Sequence, residues 1–411
     1  MVRQGFAPKR ILRPPEVRGA NRAAVLHLLQ QNDYLSRADV ARQSGLSEGS
    51  ISRIVMALMK DGLLREDGAE NSTGGRPGRR LALDPRRVVF GAEIQNWETR
   101  CAISTMHGRI VETRRFRTPA TPEETLEQVI EVFLGFSKEH GRDRLPGIGI
   151  CARGIVNSET GNLVLGSRAD WRKVPIRKFL ESRLREPVLV ENNVRAAALA
   201  EYTHGLTSPS GRRCFVFVQV DEGVGMGVIF DGKLYHGPNM AAGEFGQMVV
   251  QLSPGNDRHD RPGSLEQLVS NPGLCARYAE IGGAKRQWSG ADATTRARRI
   301  VELANSGDPV ARQTVAITAR YLGAGISNLV WTLDTDAIVV DGPLTAAWPS
   351  VEPLIRCQLP DNADLWGVRN MHLRVSALGG DAALIGAAIL PLNMTFSQSG
   401  LLGPRRTRVP A

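Results

Sequence analysis

Apolar residues recur with a helical period over residues 21–31, where Ala24, Val25, Leu28 and Leu29 stand at i, i+1, i+4 and i+5 and predict a supporting helix. A second helix follows, with Ser36 as its N-cap, Val40 and Ala41 inside it, and Gly45 at its stop. Leu46 plugs the turn. Ser47 then caps a third helix, whose Ile51, Ile54, Val55 and Leu58 fall at i, i+3, i+4 and i+7 and face inward, before Asp61-Gly62 ends it. Its opposite face carries Ser50, Ser52, Arg53 and Met56. Residues 63–66 and 80–83 alternate as two short strands around a Gly-rich loop.

Beyond residue 87 the pattern changes to strands alternating with helices. The segments VVFGAEI, RCAISTM and RIVETRRF predict a three-strand meander, PEETLEQVIEVFLGFSKEH a helix, and GIGIC and VLVEN buried strands. CFVFVQV, GMGVIF and KLYHG repeat the meander; a helix over 308–333 precedes strand AIVVD, helix AAWPSVEPLIRCQL, strand LRVSAL and helix DAALIGAAIL. Two similar α/β halves, each opening with antiparallel strands, imply a cleft between them.

The N-terminal pattern of helix, short Gly-containing turn and second helix with a polar, partly basic outer face is the helix-turn-helix arrangement, whose second helix enters the DNA major groove. A three-helix protein-interaction bundle is the alternative. The loop Gly74-Gly75-Arg76-Pro77-Gly78-Arg79-Arg80 reads as a basic wing tip that reaches phosphates or a narrow minor groove, or else as a Gly-rich linker. Ser47, Ser50, Ser52, Arg53, Arg76, Arg79 and Arg80 are therefore the candidate DNA-binding residues. Charge agrees: residues 1–87 carry 16 Lys and Arg against 9 Asp and Glu, +7 of the chain's total of +10. Such a gradient suits a polyanion, or a solvated basic arm.

At 411 residues, 42% hydrophobic and 23% charged, the chain fits two or three globular domains. No apolar run is long enough to span a bilayer and no secretory leader is evident, so a cytoplasmic protein without a membrane partner is expected. The five cysteines are scattered and never form a CxxC pair, which gives neither a disulfide framework nor a metal knuckle.

The segments PGIGICARGIVNSETGNLVLGSRADW, PVLVENNVRAAALAEYTHG, GVGMGVIFDGKLYHGPNMAAGEFGQMVV and ALGGDAALIGAAIL, in this order, resemble the ROK family, which groups bacterial repressors with sugar kinases of the actin-like ATPase fold. The resemblance covers about residues 20–392 and implies an α/β fold: an N-terminal winged helix-turn-helix followed by a two-lobed, RNase H-like sugar-kinase body. It also implies that Asn192, Asn193, Glu244 and Glu266 face sugar hydroxyls, with Gln247 in place of a family His that does the same; amides and carboxylates suit that task. These are the candidate effector-binding residues, with vestigial cleft polarity as the other reading of Asn192, Asn193 and Glu244.

Departures from the kinases are concentrated elsewhere. Asn193 stands where the kinases have the Asp that takes the proton of the attacking hydroxyl, and an amide cannot take it. Glu93-Ile94-Gln95-Asn96-Trp97 replaces a glycine-rich phosphate loop, with Gln95 and Trp97 expected to obstruct it; Asp221 and Glu222 precede Gly223, Gly225 and Gly227 in the second loop and would repel a polyphosphate. Those glycines are expected to serve a tight hairpin instead. The family's structural zinc site has Gln247, Asp257, His259 and Ser264 at its positions, a poor set for zinc.

The expectation is therefore no catalytic residue, no cofactor and no metal. Residues 1–19 are expected to form a basic arm, 20–84 the DNA-binding domain, 85–395 the effector and oligomerisation body with lobes about 85–205 and 206–395, and 396–411 a tail. The partners expected are double-stranded DNA with a pseudo-palindromic operator, a sugar or sugar-derivative effector, and further copies in a homodimer or higher homo-oligomer. An active sugar kinase with a fused DNA-binding arm, and a regulator sensing a protein partner, are the rivals.

Overall fold

The computed structural model describes residues 14–69, 79–140, 147–168, 170–205, 213–252, 263–283, 288, 290–359 and 371–396. Helix α1 spans Pro14–Gln31, so part of the expected basic arm is helical and the helix starts earlier than Asn21. Ala23, Val25, Leu26 and Leu29 are its fully buried residues, whereas Ala24 and Leu28 are only half-buried. The stripe is thus rotated slightly from the expected one. Strand β1 (Leu35–Ser36) leads into α2 (Arg37–Ser44), which Ser36 and Asp39 begin with a reciprocal capping box and Gly45 ends at φ 70°. Helix α3 (Glu48–Lys60) starts on the Ser47 cap and buries Ile51, Val55 and Leu58; Ile54 is half-buried. Strands β2 (Leu64–Ala69) and β3 (Arg79–Leu83) pair antiparallel with Leu64 opposite Leu83, in a sheet ordered β1-β3-β2. This is a winged helix-turn-helix.

The body holds two five-stranded sheets of one topology. In the first, β4 (Val88–Ile94), β5 (Glu98–Thr105) and β6 (Ile110–Arg117) form the antiparallel meander, and β7 (Ile148–Ala152) and β11 (Val188–Asn192) extend it in parallel from β4, giving the order β11-β7-β4-β5-β6. Helix α4 (Pro122–His140) lies between them in the chain. The second sheet repeats the plan with β12 (Cys214–Val220), β13 (Val224–Phe230), β14 (Lys233–Leu234), β15 (Ala337–Asp341) and β16 (His372–Val375), ordered β14-β13-β12-β15-β16. The repeated meander legible in the sequence is therefore a repeated fold. A small sheet of β8 (Gly154–Asn157), β9 (Asn162–Gly166) and β10 (Arg172–Val174) is inserted after β7, and α5 (Ile176–Leu184) follows it. Helices α7 (Leu265–Val269), α8 (Asn271–Glu280) and α9 (Ala293–Asn305) cover the second sheet, together with α10 (Pro309–Leu333) and α11 (Trp348–Arg356).

Helices α6 (Asn193–His204) and α12 (Ala382–Phe396) pack on each other between the sheets. Their contact is backbone-close. A Cβ on Gly386 would lie 2.0 Å from the Ala196 carbonyl oxygen, one on Gly149 would lie 1.8 Å from that of Ala387, and one on Gly91 would lie 2.5 Å from the Ala388 nitrogen. Helix α12 thus returns to β4 and β7 of the first sheet, although the expected second lobe ran on to residue 395. From there it continues into the DNA-binding domain: Ile385, Ala388, Ile389 and Leu392 share one apolar cluster with Val25, Leu26, Leu29, Val40, Ile51, Val55 and Leu58. The winged helix and the body have a continuous core. Polar contacts seal its edge, with Gln30 Nε2 donating to the Met106 carbonyl at 3.3 Å and His107 Nδ1 lying 3.2 Å from the Gln30 carbonyl oxygen. Among the described residues no helix is long and apolar enough to cross a membrane.

Candidate functional site: a reading face and a cleft

Helix α3 presents Arg53 to solvent, where its Nε donates to the Gly49 carbonyl at 3.2 Å and Nη2 reaches Ser50 Oγ at 3.5 Å. Ser47 and Ser50 hydroxyls lie 3.0 Å apart at the start of the same helix. Met56, 58% exposed, leaves an apolar group on the outer face of the helix. Ser52 is half-buried at the margin of this face. On the wing, Arg80 is exposed, while Arg79 pairs with Glu66 at 2.6 Å, and Glu66 also takes Arg37 at 2.8 Å. Glu66 thus anchors the wing base to α2, a role that pattern reading missed because it depends on strand register. Arg76 lies outside the described residues.

In the cleft, each polar residue has its own task. Asn192 caps α6: its Oδ1 accepts from the Val194 and Arg195 backbone N–H groups at 2.9 and 3.0 Å, and its Nδ2 donates to the Gly154 carbonyl at 2.8 Å. Asn193 Nδ2 donates to Gln219 Oε1 at 3.2 Å, beside the end of β12. Glu266 Oε2 accepts from the Val224 N–H at 2.9 Å. Glu244 precedes a single helical turn that carries Gln247, both exposed; desolvation, with the neighbouring Glu266 adding to it, raises the Glu244 carboxyl above its ordinary range. The structure therefore brings Glu244 and Glu266 together, gives Asn193 an amide partner, and commits Asn192 to the backbone.

The expected obstruction at the phosphate end takes a different form. Trp97 is 67% exposed and turned to solvent. Arg100, opposite Glu93 in the β4–β5 pair, binds that buried carboxylate through Nε at 2.9 Å, Asp381 at 2.7 Å, and the Gly380 carbonyl just before α12. Gln95 Nε2 completes the Glu93 shell at 2.5 Å. Asp221 accepts from Asn271 and Thr294 at 2.5 and 2.9 Å. Glu222 is held by Arg153 at 3.0 Å and Asn96 at 3.3 Å. The glycines of this hairpin serve close packing: a Cβ on Gly227 would lie 2.4 Å from Ala198 Cβ, and one on Gly225 3.0 Å from Val194 Cγ2.

A second cross-cleft contact lies behind the first. Glu191 is buried at the end of β11 between Arg195 Nε and His236 Nε2, each at 2.7 Å, and Arg195 also donates to the carbonyls of Val156 and Met240. Burial opposes the Glu191 charge, but His236 and Arg195 outweigh it and hold the carboxyl down to about 2. The segment that carries Glu244 is thereby fastened to the strand that ends in Asn192. The family's zinc does not fit the residues present: Ser264 Oγ caps α7 by accepting from the Gln267 N–H at 3.4 Å, Gln247 offers an amide, and Asp257 and His259 lie outside the described residues.

Comparison with known proteins agrees with this architecture. The model of the ROK family matches residues 82–393, and that of a winged helix-turn-helix DNA-binding domain matches residues 20–65. The xylose repressor of Bacillus spizizenii is 23% identical over 374 residues, 90% of this chain and 94% of that protein. The DNA-binding transcriptional dual regulator NagC of Escherichia coli is 25% identical over 352 residues, 83% of this chain and 86% of its own. Among solved structures, a ROK family transcriptional regulator described as a homolog of E. coli MLC superposes with a TM-score of 0.77 at 23% identity, covering 94% of this chain and 98% of that one. A ROK family glucokinase from Streptomyces griseus, in complex with glucose and AMPPNP, covers 74% of this chain and 98% of its own at a TM-score of 0.63 and 26% identity. With one family model spanning the whole body and a second spanning the N-terminal helices, the chain belongs to the ROK family and carries that family's body behind a winged helix-turn-helix DNA-binding domain.

Proposed function

We propose that the protein is a transcriptional repressor that binds a pseudo-palindromic operator as a homodimer or larger homo-oligomer and is released by a sugar-type effector held in the cleft. The observation that carries this reading is the shared core. Helix α12 begins beside Asp381 at the cleft, runs between the sheets and ends among the buried residues of α1 and α3, so a change in how the sheets close moves the support of the recognition helix. Paired recognition helices read half-sites at a fixed spacing, and a shift in that support changes the spacing.

The body is read as catalytically silent. Asn193 has no basic atom to offer a hydroxyl proton, and Arg100 already pairs with Glu93 and Asp381, which leaves those carboxylates committed and not open to a nucleotide's metal. Selection of binding sites from a random DNA pool, followed by titration of the complex with a sugar panel, tests the reading. A selected site with two-fold symmetry and its release by one sugar class is the expected result. Failure to enrich any sequence overturns the regulator reading, and sugar-dependent ADP formation by the purified chain overturns the silence of the body.

A further inference from the structure

Strand β2 puts a charge where its alternation calls for an apolar group. Leu64 faces the core at 3% exposure, and Arg65 and Asp67 point outward and pair with each other at 2.7 Å. Glu66 therefore falls on the inner side, opposite the fully buried Leu81. Its side chain is 16% exposed and takes one guanidinium from each of two elements. Arg37, the first residue of α2, reaches Oε1 through Nη2 at 2.8 Å; Arg79, the first residue of β3, reaches Oε2 through Nη1 at 2.6 Å. As a support for the fold the arrangement is poor. Arg37 Nε is buried with no acceptor among the described residues, and Arg79, 73% exposed, gains little from an ion pair in water. Its place matters more. The helix that precedes the recognition helix crosses the DNA backbone, and its first turn and the wing are the parts turned to phosphates. Both arginines stand on those parts, bridged by one carboxylate.

We propose that Glu66 is a specificity-determining residue for DNA, which holds Arg37 and Arg79 back from the phosphates of arbitrary sequence and leaves binding to depend on what α3 reads. The inference rests on the DNA-binding reading and names what limits it. Arginine contacts to the backbone carry no sequence information and tighten every site alike. Two uncommitted guanidiniums at the wing base would raise affinity for random DNA and lower the ratio by which an operator is preferred. Glu66 cancels one unit of that charge. Through its two bonds it also sets a cost on moving either arginine, because the exchange leaves a largely buried carboxylate with one partner fewer. Arg80 is the contrast: next in the chain, it is exposed and forms no ion pair among the described residues. Neighbouring arginines of one strand are thus in different states, one open to phosphate and one held.

A double-mutant cycle on the full chain tests this, with a random-sequence duplex and the selected operator as probes, each titrated over about 50 to 200 mM salt. Glu66→Gln, which keeps an amide acceptor and drops the charge, is expected to tighten the random duplex about three- to tenfold and to steepen its salt dependence by about one phosphate contact. The operator is expected to gain less, so that the ratio of the two affinities falls. Arg79→Ala is expected to change random-duplex affinity by less than about twofold in the unmodified chain and to weaken it about three- to tenfold in the Glu66→Gln chain. A fixed background charge would give no such coupling. Equal effects of Arg79→Ala in the two backgrounds, or a Glu66→Gln chain that holds random DNA no tighter, overturns the inference and leaves the DNA-binding reading standing. So does a loss of about threefold or more from Arg79→Ala alone, a result that needs no change at Glu66. An unmodified chain that binds neither probe overturns both.

Discussion

We propose Arg53 as the residue on which DNA reading turns. Its guanidinium rests only on Gly49 and Ser50 of its own helix, so little is lost when it moves to a base edge. Arg53→Ala is expected to weaken the selected operator by about 1–3 kcal/mol, read by electrophoretic mobility shift against the unchanged chain. The residues of the cleft were legible as chemistry, and their partners were not. Asn192 shows why: a sugar-binding amide and an N-cap have the same side chain, and only the backbone N–H groups of Val194 and Arg195 distinguish them. Arg100 was passed over because its significance lies in facing Glu93 across a strand pair and Asp381 far along the chain. Arg195 is the most exacting of these groups, since its loss leaves the buried Glu191 without the guanidinium that pairs with it. Arg195→Met is expected to cost about 3–5 kcal/mol in chemical denaturation. Glu191, held down to about 2 against 4.5 ordinarily, gives stability that is complete above pH 4.5 and is lost as the pH falls through 2.

Elements were read well where one period ran without interruption. The two meanders, α4 and α10 follow their apolar patterns, and Asp308 caps α10 where its sequence begins. The three short strands β8, β9 and β10, and the helices α5 to α9, were not anticipated. Strands as short as Arg172–Val174 leave too few positions for alternation to register, and α8 and α9 are amphipathic pieces framed by loops. The rotation of the α1 stripe has a cause outside its own sequence, because α12 packs on it. That contact makes α12 the element with the least tolerance. Gly149→Ala would drive a methyl carbon to within 1.8 Å of the Ala387 carbonyl and force the helix off the sheet. A cost of about 1–3 kcal/mol or more is expected in urea unfolding, with weakened operator binding although the residue touches no DNA.

At the scale of the whole molecule, the junction between the winged helix and the body is the part whose response to conditions follows from structure. His204, at the end of α6, has a buried Nε2 without a partner among the described residues, and it faces His107 and His27 with Gln30 alongside. Burial first, and then the two neighbouring imidazoles, lower it to about 4 from an ordinary 6.5. Between those values the unfolded chain binds the proton and the folded one does not, so the contribution of His204 is complete above pH 6.5 and drains away as the pH falls toward 4. The loss across that range amounts to at most about 3 kcal/mol. Melting curves across that range check it, and His204→Gln is expected to flatten them. The shared core has one more consequence, which concerns the order of events in synthesis. Val25, Leu26 and Leu29 leave the ribosome long before the Ile385, Ala388, Ile389 and Leu392 side chains that share their apolar cluster. A nascent chain holds its DNA-binding helices with an open apolar flank until α12 has been made, and contacts so distant in sequence close late.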